Sequence, residues 1–379
     1  MTRRTLEGKV IALGVTGSIA ATEVVRLAHE LRRRGAVVQA VMTPAAARIL
    51  SPEAVTYATG RPALTAITGM VEHVLYCGEE GRADLLLVAP CTANTLAKVA
   101  LGIDDTPVTT FATTAIGRGM PVILAPAMHG SMYRHPAIAG HLGVLAGWGI
   151  DVIEPRTEEG RAKLAGVETI VLHAERALRG KPLAGKRVLV TGGPCAEPVD
   201  DVRILTTRSS GRMGREMALE AYRLGAEVTV VHGGDSIPCV RNVAAGSARE
   251  MREAVHRIFR DEGADIYVSA AAISDFSPER VEGKIRSGTP VTLRLEPLPK
   301  LLDEVLSGYR PVVIAFKLGR DEEAAAQGML DRGVAVVVVN GPGAMGAAES
   351  AATILTAAGG TAAGGSKEEV AAAVWKALP

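Results

Sequence analysis

The chain has 379 residues, 47% of them apolar and 22% charged, with a net charge of +1. That balance gives no basis for nucleic acid or an anionic membrane as a partner. The length exceeds the usual span of one core, so two domains are expected, and nowhere do 18 apolar residues run together as a membrane span would require. Aromatics are scarce at 3% while glycines number 42, which suits close-packed α/β layers with tight strand-to-helix turns better than an all-β sandwich.

In chain order, Arg3 and Arg4 precede an apolar stretch, but Glu7 and Lys9 interrupt it, so the start reads as a first strand and not a signal peptide. Strands are predicted at 9–15, 36–42, 84–90 and 121–127, with helices beginning near Ser18, Pro44, Pro52 and Thr92. The strands are nearly continuous in Val, Ile and Leu, as parallel strands covered on both faces are. Around 174–186 the pattern resets through the polar stretch AERALRGKPLAGK, with a domain junction near residue 180. The expected domains are 1–178 and 186–379. The second half repeats the grammar, with strands at 187–193, 226–233, 265–271, 311–317 and 334–340 and helices at 211–224, 248–262, 320–332 and 367–378. PVTLRLEP (290–297) alternates with period two and is predicted to be an added strand with one solvent-facing side. The fold class is therefore α/β: two doubly wound, Rossmann-like domains with mostly parallel sheets.

The cysteines, Cys77, Cys91, Cys195 and Cys239, are widely spaced. They show neither a CxxC pair nor a zinc spacing, so free thiols in a reducing cytoplasm are expected. Each half opens with a strand and a Gly-containing turn, GVTGSIAATE and VTGGPCAEP. Neither is GxGxxG with a downstream acid, which leaves a nicotinamide dinucleotide site weakly supported. Such turns still suit a phosphate at a helix start.

In the first half, four strand ends carry Gly17-Ser18, Thr43, Thr92 with Asn94, and Met128-His129, and open α/β sheets bind ligands at that edge. Taken singly, each is an ordinary helix or strand cap. Gathered on one edge, they point to a ligand. GSIAATE, VMTPAAARI, the EH of MVEHVLY, APCTANTLAKVALGIDD and PAMHGSMY closely resemble the flavin-dependent cysteine decarboxylases. Specifically, they are similar to the phosphopantothenoylcysteine decarboxylase half of the bifunctional coenzyme A enzymes, over most of 9–175.

That resemblance implies flavin mononucleotide (FMN) at a subunit interface of a trimer. Gly17, Ser18 and Thr43 would hold its phosphate, with Ile19 beside them, and Pro90, Thr92, Ala93, Asn94 and Met128 would line the ring. His73 falls at the family's catalytic histidine. Two departures stand out. His129 replaces the bacterial Asn that meets the substrate carboxylate, a role a protonated imidazole can also fill. The lid stretch TEEGRAKLAG (157–166) lacks the bacterial cysteine that returns a proton late in the cycle. Archaeal members look like this at both positions. The final proton donor is unassigned; Cys77 and Cys91 are candidates by half only, and burial as small apolar residues suits both better.

In the second half, TGGPCAEPVDDVRILTTRSSGRMGREMA, SAAISDF, VEGKIRSG and IAFKLG resemble the phosphopantothenate–cysteine ligase half of the same enzymes, over about 186–378. The resemblance implies cysteine joined to 4′-phosphopantothenate through an acyl-cytidylate, using CTP (ATP in the eukaryotic branch) and Mg²⁺. Lys284 would neutralise the triphosphate. Ala271, Ala272, Ile273 and Asp275 would hold the nucleotide with Phe316, Arg332 and the turn Pro299, Lys300, Leu301 and Leu302. Ser209, Ser210, Gly211, Arg212 and Met213 would meet the substrate phosphate. Thr207 replaces the family's Asn that stabilises the activated intermediate, and Asn340-Gly341 replaces Asn-Asp. The partners implied are small molecules and further copies of the chain, trimers of one domain and dimers of the other closing a dodecamer. The alternatives are a flavin-binding regulatory protein, a flavin prenyltransferase in the first half, or a chain with one activity intact.

Overall fold

A computed structural model describes residues 3–158, 161–288, 290–319, 322–341, 343, 346–347 and 349–379; the side chains of residues 157, 158, 161 and 323 lie outside that description. The chain divides into two compact units, Thr2–Arg179 and Gly180–Pro379.

The N-terminal unit runs β1 (Val10–Val15), a 3₁₀ turn (Ile19–Glu23), α1 (Val24–Arg33), β2 (Val37–Met42), α2 (Pro44–Ala47), α3 (Pro52–Thr59), α4 (Glu72–Cys77), β3 (Leu85–Cys91), α5 (Ala93–Leu101) and α6 (Pro107–Gly117). It continues with β4 (Val122–Pro126), α7 (Gly130–Tyr133), α8 (Pro136–Gly147), β5 (Asp151–Val152), the hairpin β6 (Arg156–Glu158) and β7 (Arg161–Lys163), and α9 (Val167–Leu178). Its sheet has the order β2-β1-β3-β4-β5, every pair parallel. Successive residues of a strand point to opposite faces, and both faces are covered. Ile11 and Leu13 pack with Leu27 and Leu31 of α1, Val55 of α3 and Ile170 of α9. Ala12, Leu86 and Val88 pack with Leu96 of α5, Phe111 of α6 and Leu145 of α8. This explains the continuous apolar strands: neither face meets water.

The C-terminal unit runs β8 (Arg187–Gly192), β9 (Ala196–Pro198), β10 (Ile204–Thr206), α10 (Arg212–Arg223), β11 (Glu227–His232), β12 (Arg241–Ala244), α11 (Ala248–Asp261), β13 (Ile266–Ser269), β14 (Phe276–Pro278) and β15 (Leu295–Pro297). It ends with α12 (Leu301–Gly308), β16 (Val312–Leu318), α13 (Glu323–Asp331), β17 (Val336–Asn340), β18 (Glu349–Thr356), β19 (Gly359–Ser366) and α14 (Lys367–Lys376). The eight-stranded sheet is ordered β12-β11-β8-β13-β16-β17-β18-β19, parallel through β17 and antiparallel in the last two pairs. Leu189, Tyr267, Val313 and Val337 pack against α11, α12 and α13 through Val255, Val305 and Met329. On α14, Trp375 Nε1 donates to the Met217 carbonyl of α10 at 3.0 Å.

One expectation is corrected. Of 290–297, only Leu295–Pro297 is a strand; it pairs with Phe276–Pro278, and 290–297 is exposed wherever described. Alternation without a sheet edge to pair with does not make a strand. The sheet's true antiparallel extension is β18–β19, which no sequence signal marked. The helix predicted from 320 is described from Glu323, and residues 320–321 lie outside the described residues.

Candidate functional site

In the N-terminal unit the carboxyl ends of β1 to β4 surround a cavity of about 520 Å³, lined by Gly17, Ser18, Thr43, Ala45, Arg48, Thr92, Ala93, Asn94, Lys98, Ala127, Met128 and Met132 among others. That size lies in the range of small-molecule and cofactor sites. Seven of the nine residues expected to touch a cofactor lie on this wall. Ile19 and Pro90 do not; Ile19 is exposed, and buried Pro90 turns its carbonyl to Thr16.

Local chemistry fixes this wall. Ser18 Oγ accepts the Ala20 N–H at 3.3 Å, Thr43 Oγ1 accepts the Ala46 N–H at 3.1 Å, and Thr92 Oγ1 accepts the Thr95 N–H at 3.3 Å. Each hydroxyl therefore caps the helical turn that follows it. Gly17 is required by close approach, because a Cβ there would fall 2.5 Å from the Ala45 Cβ. Thr16, absent from the sequence expectations, is fully buried; its hydroxyl donates to the Pro90 carbonyl at 2.7 Å and accepts the Thr92 N–H at 3.0 Å. Lys98 is paired with Asp105 at 2.6 Å.

The lining fits a flavin mononucleotide. The Ser18 and Thr43 hydroxyls and the Arg48 cation come from the ends of β1 and β2, while Thr92, Ala93, Asn94, Ala127, Met128 and Met132 follow β3 and β4. The sheet order separates these two groups along one edge. Three strand spacings cover about 14 Å, enough to lay a phosphate at one end and a planar ring at the other.

His129 is exposed and caps α7, its Nδ1 lying 2.8 Å from Ser131 Oγ and accepting the Ser131 N–H at 3.4 Å. With Nδ1 an acceptor, a neutral ring carries its proton on Nε2, so the ring can donate to a carboxylate without being charged. Its neighbours Met128 and Met132 line the cavity; His129 and His73 do not. His73, on α4, has a buried Nδ1 without a hydrogen-bond partner among the described residues. Beside it, Glu72 accepts the Thr68 N–H at 2.8 Å and the Thr68 hydroxyl at 2.5 Å. That hydroxyl and N–H hold the Glu72 carboxyl below its ordinary range. The hairpin β6–β7 reaches the site where Met128 N donates to the Ala162 carbonyl at 3.1 Å; residues 159–160 of the expected lid lie outside the described residues. Cys77 and Cys91 are fully buried in the core, and burial pushes both thiols up to about 12.

In the C-terminal unit most of the expected residues lie on the segments that follow the carboxyl ends of β8 and β13, with Phe316 within β16 and Arg332 at the end of α13, ahead of β17. The start of α10 lies against the β8 turn: Gly211 has φ +70°, and a Cβ on Gly214 would fall 2.9 Å from the Gly192 Cα. Ser209 Oγ accepts the Gly211 N–H at 3.3 Å, and Arg212 donates to the Gly346 carbonyl at 3.4 Å. Ser210 is exposed and Met213 half-buried. Thr207 Oγ1 is buried without a partner among the described residues, spare bonding capacity that proteins seldom leave unused. Ala272 exchanges backbone bonds with Gly193 (2.9 Å) and Cys195 (3.3 Å), so the β8 and β13 turns are fixed together.

Asp275 and Lys300 form an ion pair, which brings two expected nucleotide residues together. Arg332 pairs with Asp303 at 2.8 Å. Pro299 is exposed, Phe316 half-buried, and Ala271, Ile273 and Leu302 pack partly against the core. Leu301 is buried in that core, so only its backbone can face a ligand. Lys284 is exposed with no partner among the described residues. Those residues hold no group of three His, Cys, Asp or Glu able to bind a metal. A second cavity, of about 240 Å³, lies at the opposite end of the sheet, where Arg187 and Glu227 begin their strands.

Fold and strand-end sites together define a two-domain α/β protein of the flavoprotein class. The Flavoprotein family model matches residues 1–178, and the model of the DNA/pantothenate metabolism flavoprotein C-terminal domain matches 183–379. The chain is 46% identical over 358 residues to the coenzyme A biosynthesis bifunctional protein CoaBC of Thermococcus kodakarensis, covering 92% of this chain and 89% of that protein. It is 37% identical over 317 residues to the protein of the same name from Methanocaldococcus jannaschii, covering 82% and 77%. Among solved structures it is similar to the C-terminal domain of a CoaBC protein, with a TM-score of 0.44 and 29% identity, covering 52% of this chain and 95% of that one. The chain belongs to the bifunctional coenzyme A biosynthesis family. No helix among the described residues is long and apolar enough to cross a membrane.

Proposed function

We propose that the chain carries out two consecutive steps: the C-terminal unit ligates cysteine to 4′-phosphopantothenate at the expense of CTP, and the N-terminal unit decarboxylates the product to 4′-phosphopantetheine with FMN. Family membership of both halves supports this pairing. The observation that carries it is the 520 Å³ cavity with Gly17, Ser18, Thr43, Thr92, Ala93, Asn94 and Met128 on one wall.

When bound, the flavin would oxidise the substrate's CH₂–SH carbon reversibly, giving the departing carboxylate's electrons a sink. The chain's own residues do the rest. Ser18, Thr43 and Arg48 receive the cofactor phosphate. Ala93, Ala127, Met128 and Met132 keep water from the reacting carbon. His129 offers its Nε2–H to the substrate carboxylate, and the unpartnered Nδ1 of His73 is available to take a proton.

In the ligase unit the pantothenate carboxylate oxygen attacks the α-phosphorus of CTP and pyrophosphate leaves. The cysteine amine then attacks the acyl carbon, and CMP leaves. Lys284 neutralises the triphosphate, with Asp275, Lys300 and Arg332 around the nucleotide and Ser209 to Met213 on the substrate phosphate. Thr207 offers its free hydroxyl to the acyl-nucleotide. Mg²⁺ enters with the nucleotide.

The test is mass spectrometry of the purified chain with 4′-phosphopantothenate, cysteine, CTP and Mg²⁺. The reading requires CMP and phosphopantothenoylcysteine first, then loss of CO₂ when the flavin is present. Accumulation of the carboxylated product by a flavin-loaded protein would leave the ligase alone and refute the second step.

A further inference from the structure

The loop that carries Lys284 is held in an unusual way. Gly283, on one side of it, donates its N–H to Asp201 Oδ2 at 3.2 Å, and its carbonyl accepts the Asp201 N–H at 3.1 Å. Ile285, on the other side, donates its N–H to Asp200 Oδ2 at 3.0 Å, and its carbonyl accepts from Arg203 at 3.2 Å. Both peptide groups flanking the lysine are thus engaged, while the lysine side chain is exposed, with no partner among the described residues. Arg280 Nη2 adds an ion pair to Asp201 at 2.9 Å, and Val281 N–H donates to the Val199 carbonyl at 3.0 Å.

Asp200 is the centre of this arrangement. It is 3% exposed. Its Oδ1 accepts the Val202 and Arg203 N–H groups at 2.8 and 2.6 Å, which shapes the turn between β9 and β10. Its Oδ2 serves the Lys284 loop and the Arg203 guanidinium. A buried carboxylate with one oxygen on each of two segments fixes them to one another. The first segment leads through β10 directly into Thr207 and Ser209.

We infer that Asp200, assisted by Asp201, is a positioning residue for ligation: it sets the Lys284 ammonium relative to the Thr207–Gly211 segment, so that nucleotide and acyl substrate meet in reactive geometry. This rests on the reading of Lys284 as the triphosphate cation. Misplacing such a group by an ångström lowers rates about 100-fold. Neither carboxylate touches the reacting atoms.

Asp200→Asn separates this role from folding. Its amide oxygen can keep the turn bonds of Val202 and Arg203, leaving an NH₂ opposite the Ile285 N–H and the Arg203 guanidinium, where only donors face it. The measurement is pyrophosphate release from CTP and 4′-phosphopantothenate in the full chain, with the thermal unfolding of the C-terminal unit as the folding control and decarboxylation of added phosphopantothenoylcysteine as the control for the N-terminal unit. Asp200→Asn should slow release 10- to 100-fold, chiefly in kcat, with decarboxylation unchanged. The same substitution in a Lys284→Gln background should cost nothing further, because the clamp acts through the lysine. If the two effects multiply instead, Asp200 does not act through Lys284 and the inference falls. If Lys284→Gln alone leaves release intact, the nucleotide reading fails first. Should Asp200→Asn not fold, Asp201→Ala, at a half-exposed side chain, must reproduce the loss and the non-additivity, and full activity in it overturns the inference.

Discussion

The buried hydroxyl of Thr16 donates to the carbonyl of Pro90 at 2.7 Å, joining the end of β1 to the end of β3. The same oxygen accepts the Thr92 N–H at 3.0 Å. One side chain therefore fixes the distance between the turn that bears Gly17 and Ser18 and the turn that bears Thr92 to Asn94. Thr16→Val keeps the shape and removes both bonds, leaving a buried carbonyl and N–H unpaired at about 1–3 kcal/mol each. We expect the N-terminal unit to melt roughly 5–10 °C lower by calorimetry and flavin affinity to fall about tenfold by fluorescence titration. Unchanged melting would mean the two turns are held independently of Thr16.

The strand ends that build the cavity were legible because each ends in a capping residue before a helical pattern, as Thr43-Pro44 and Thr92-Ala93 do. Thr16 was not. A threonine inside a glycine turn announces nothing until the neighbouring strand is in place. Asp200 and Asp201 sit inside the quoted stretch TGGPCAEPVDDVRILTTRSSGRMGREMA without a role of their own for the same reason, since the loop they hold lies some 80 residues on. The GGTAAGGS of β19 has almost no side chains to signal a strand; it pairs with β18, which pairs with β17, so tertiary context overrides weak propensity. The 290–297 alternation erred in the opposite direction.

Burial argues against Cys77 and Cys91 in the role expected of a lid cysteine. Both are fully buried, with thiols pushed up to about 12 by burial. At pH 8 a thiol with such a pKa is roughly one part in 10⁴ thiolate, against about a quarter for an ordinary one. Native protein treated with iodoacetamide at that pH should leave both unmodified in peptide mass analysis, while the partly exposed Cys239 reacts. Cys77→Ala and Cys91→Ala should keep decarboxylation within about threefold of the parent. A larger loss in folded protein would return that cysteine to the proton-transfer step.

α11 and α12 of the ligase unit are joined through Glu304, which accepts from Arg252 Nε at 2.7 Å and lies 2.8 Å from His256 Nε2. The Arg252 guanidinium, against the opposing effect of burial and with His256 adding to it, holds the Glu304 carboxyl below its ordinary range. A carboxylate depressed in the folded state stabilises that state above its unfolded pKa of about 4.3. The contribution is lost as pH falls through the lower folded value. Arg252→Met should therefore move acid unfolding of this unit to higher pH, read by circular dichroism, and cost less stability at pH 4 than at pH 7. An equal loss at both pH values would show that Arg252 acts through packing and not through Glu304.

His129 sets the sharpest test of the decarboxylase site. Its Nδ1 is committed to Ser131, so what it can offer a ligand is the outward Nε2–H. An asparagine at this helix cap can accept from the Ser131 N–H and present an amide N–H instead. His129→Asn should thus keep kcat/KM within about threefold and flatten any pH dependence that the imidazole imposes. His129→Leu keeps bulk but neither function, and should raise KM for the carboxylated substrate about 10- to 100-fold with flavin content unchanged by absorbance. If His129→Leu instead loses flavin in proportion to activity, the imidazole supports the cofactor wall beside Met128. The carboxylate contact would then fall to another residue.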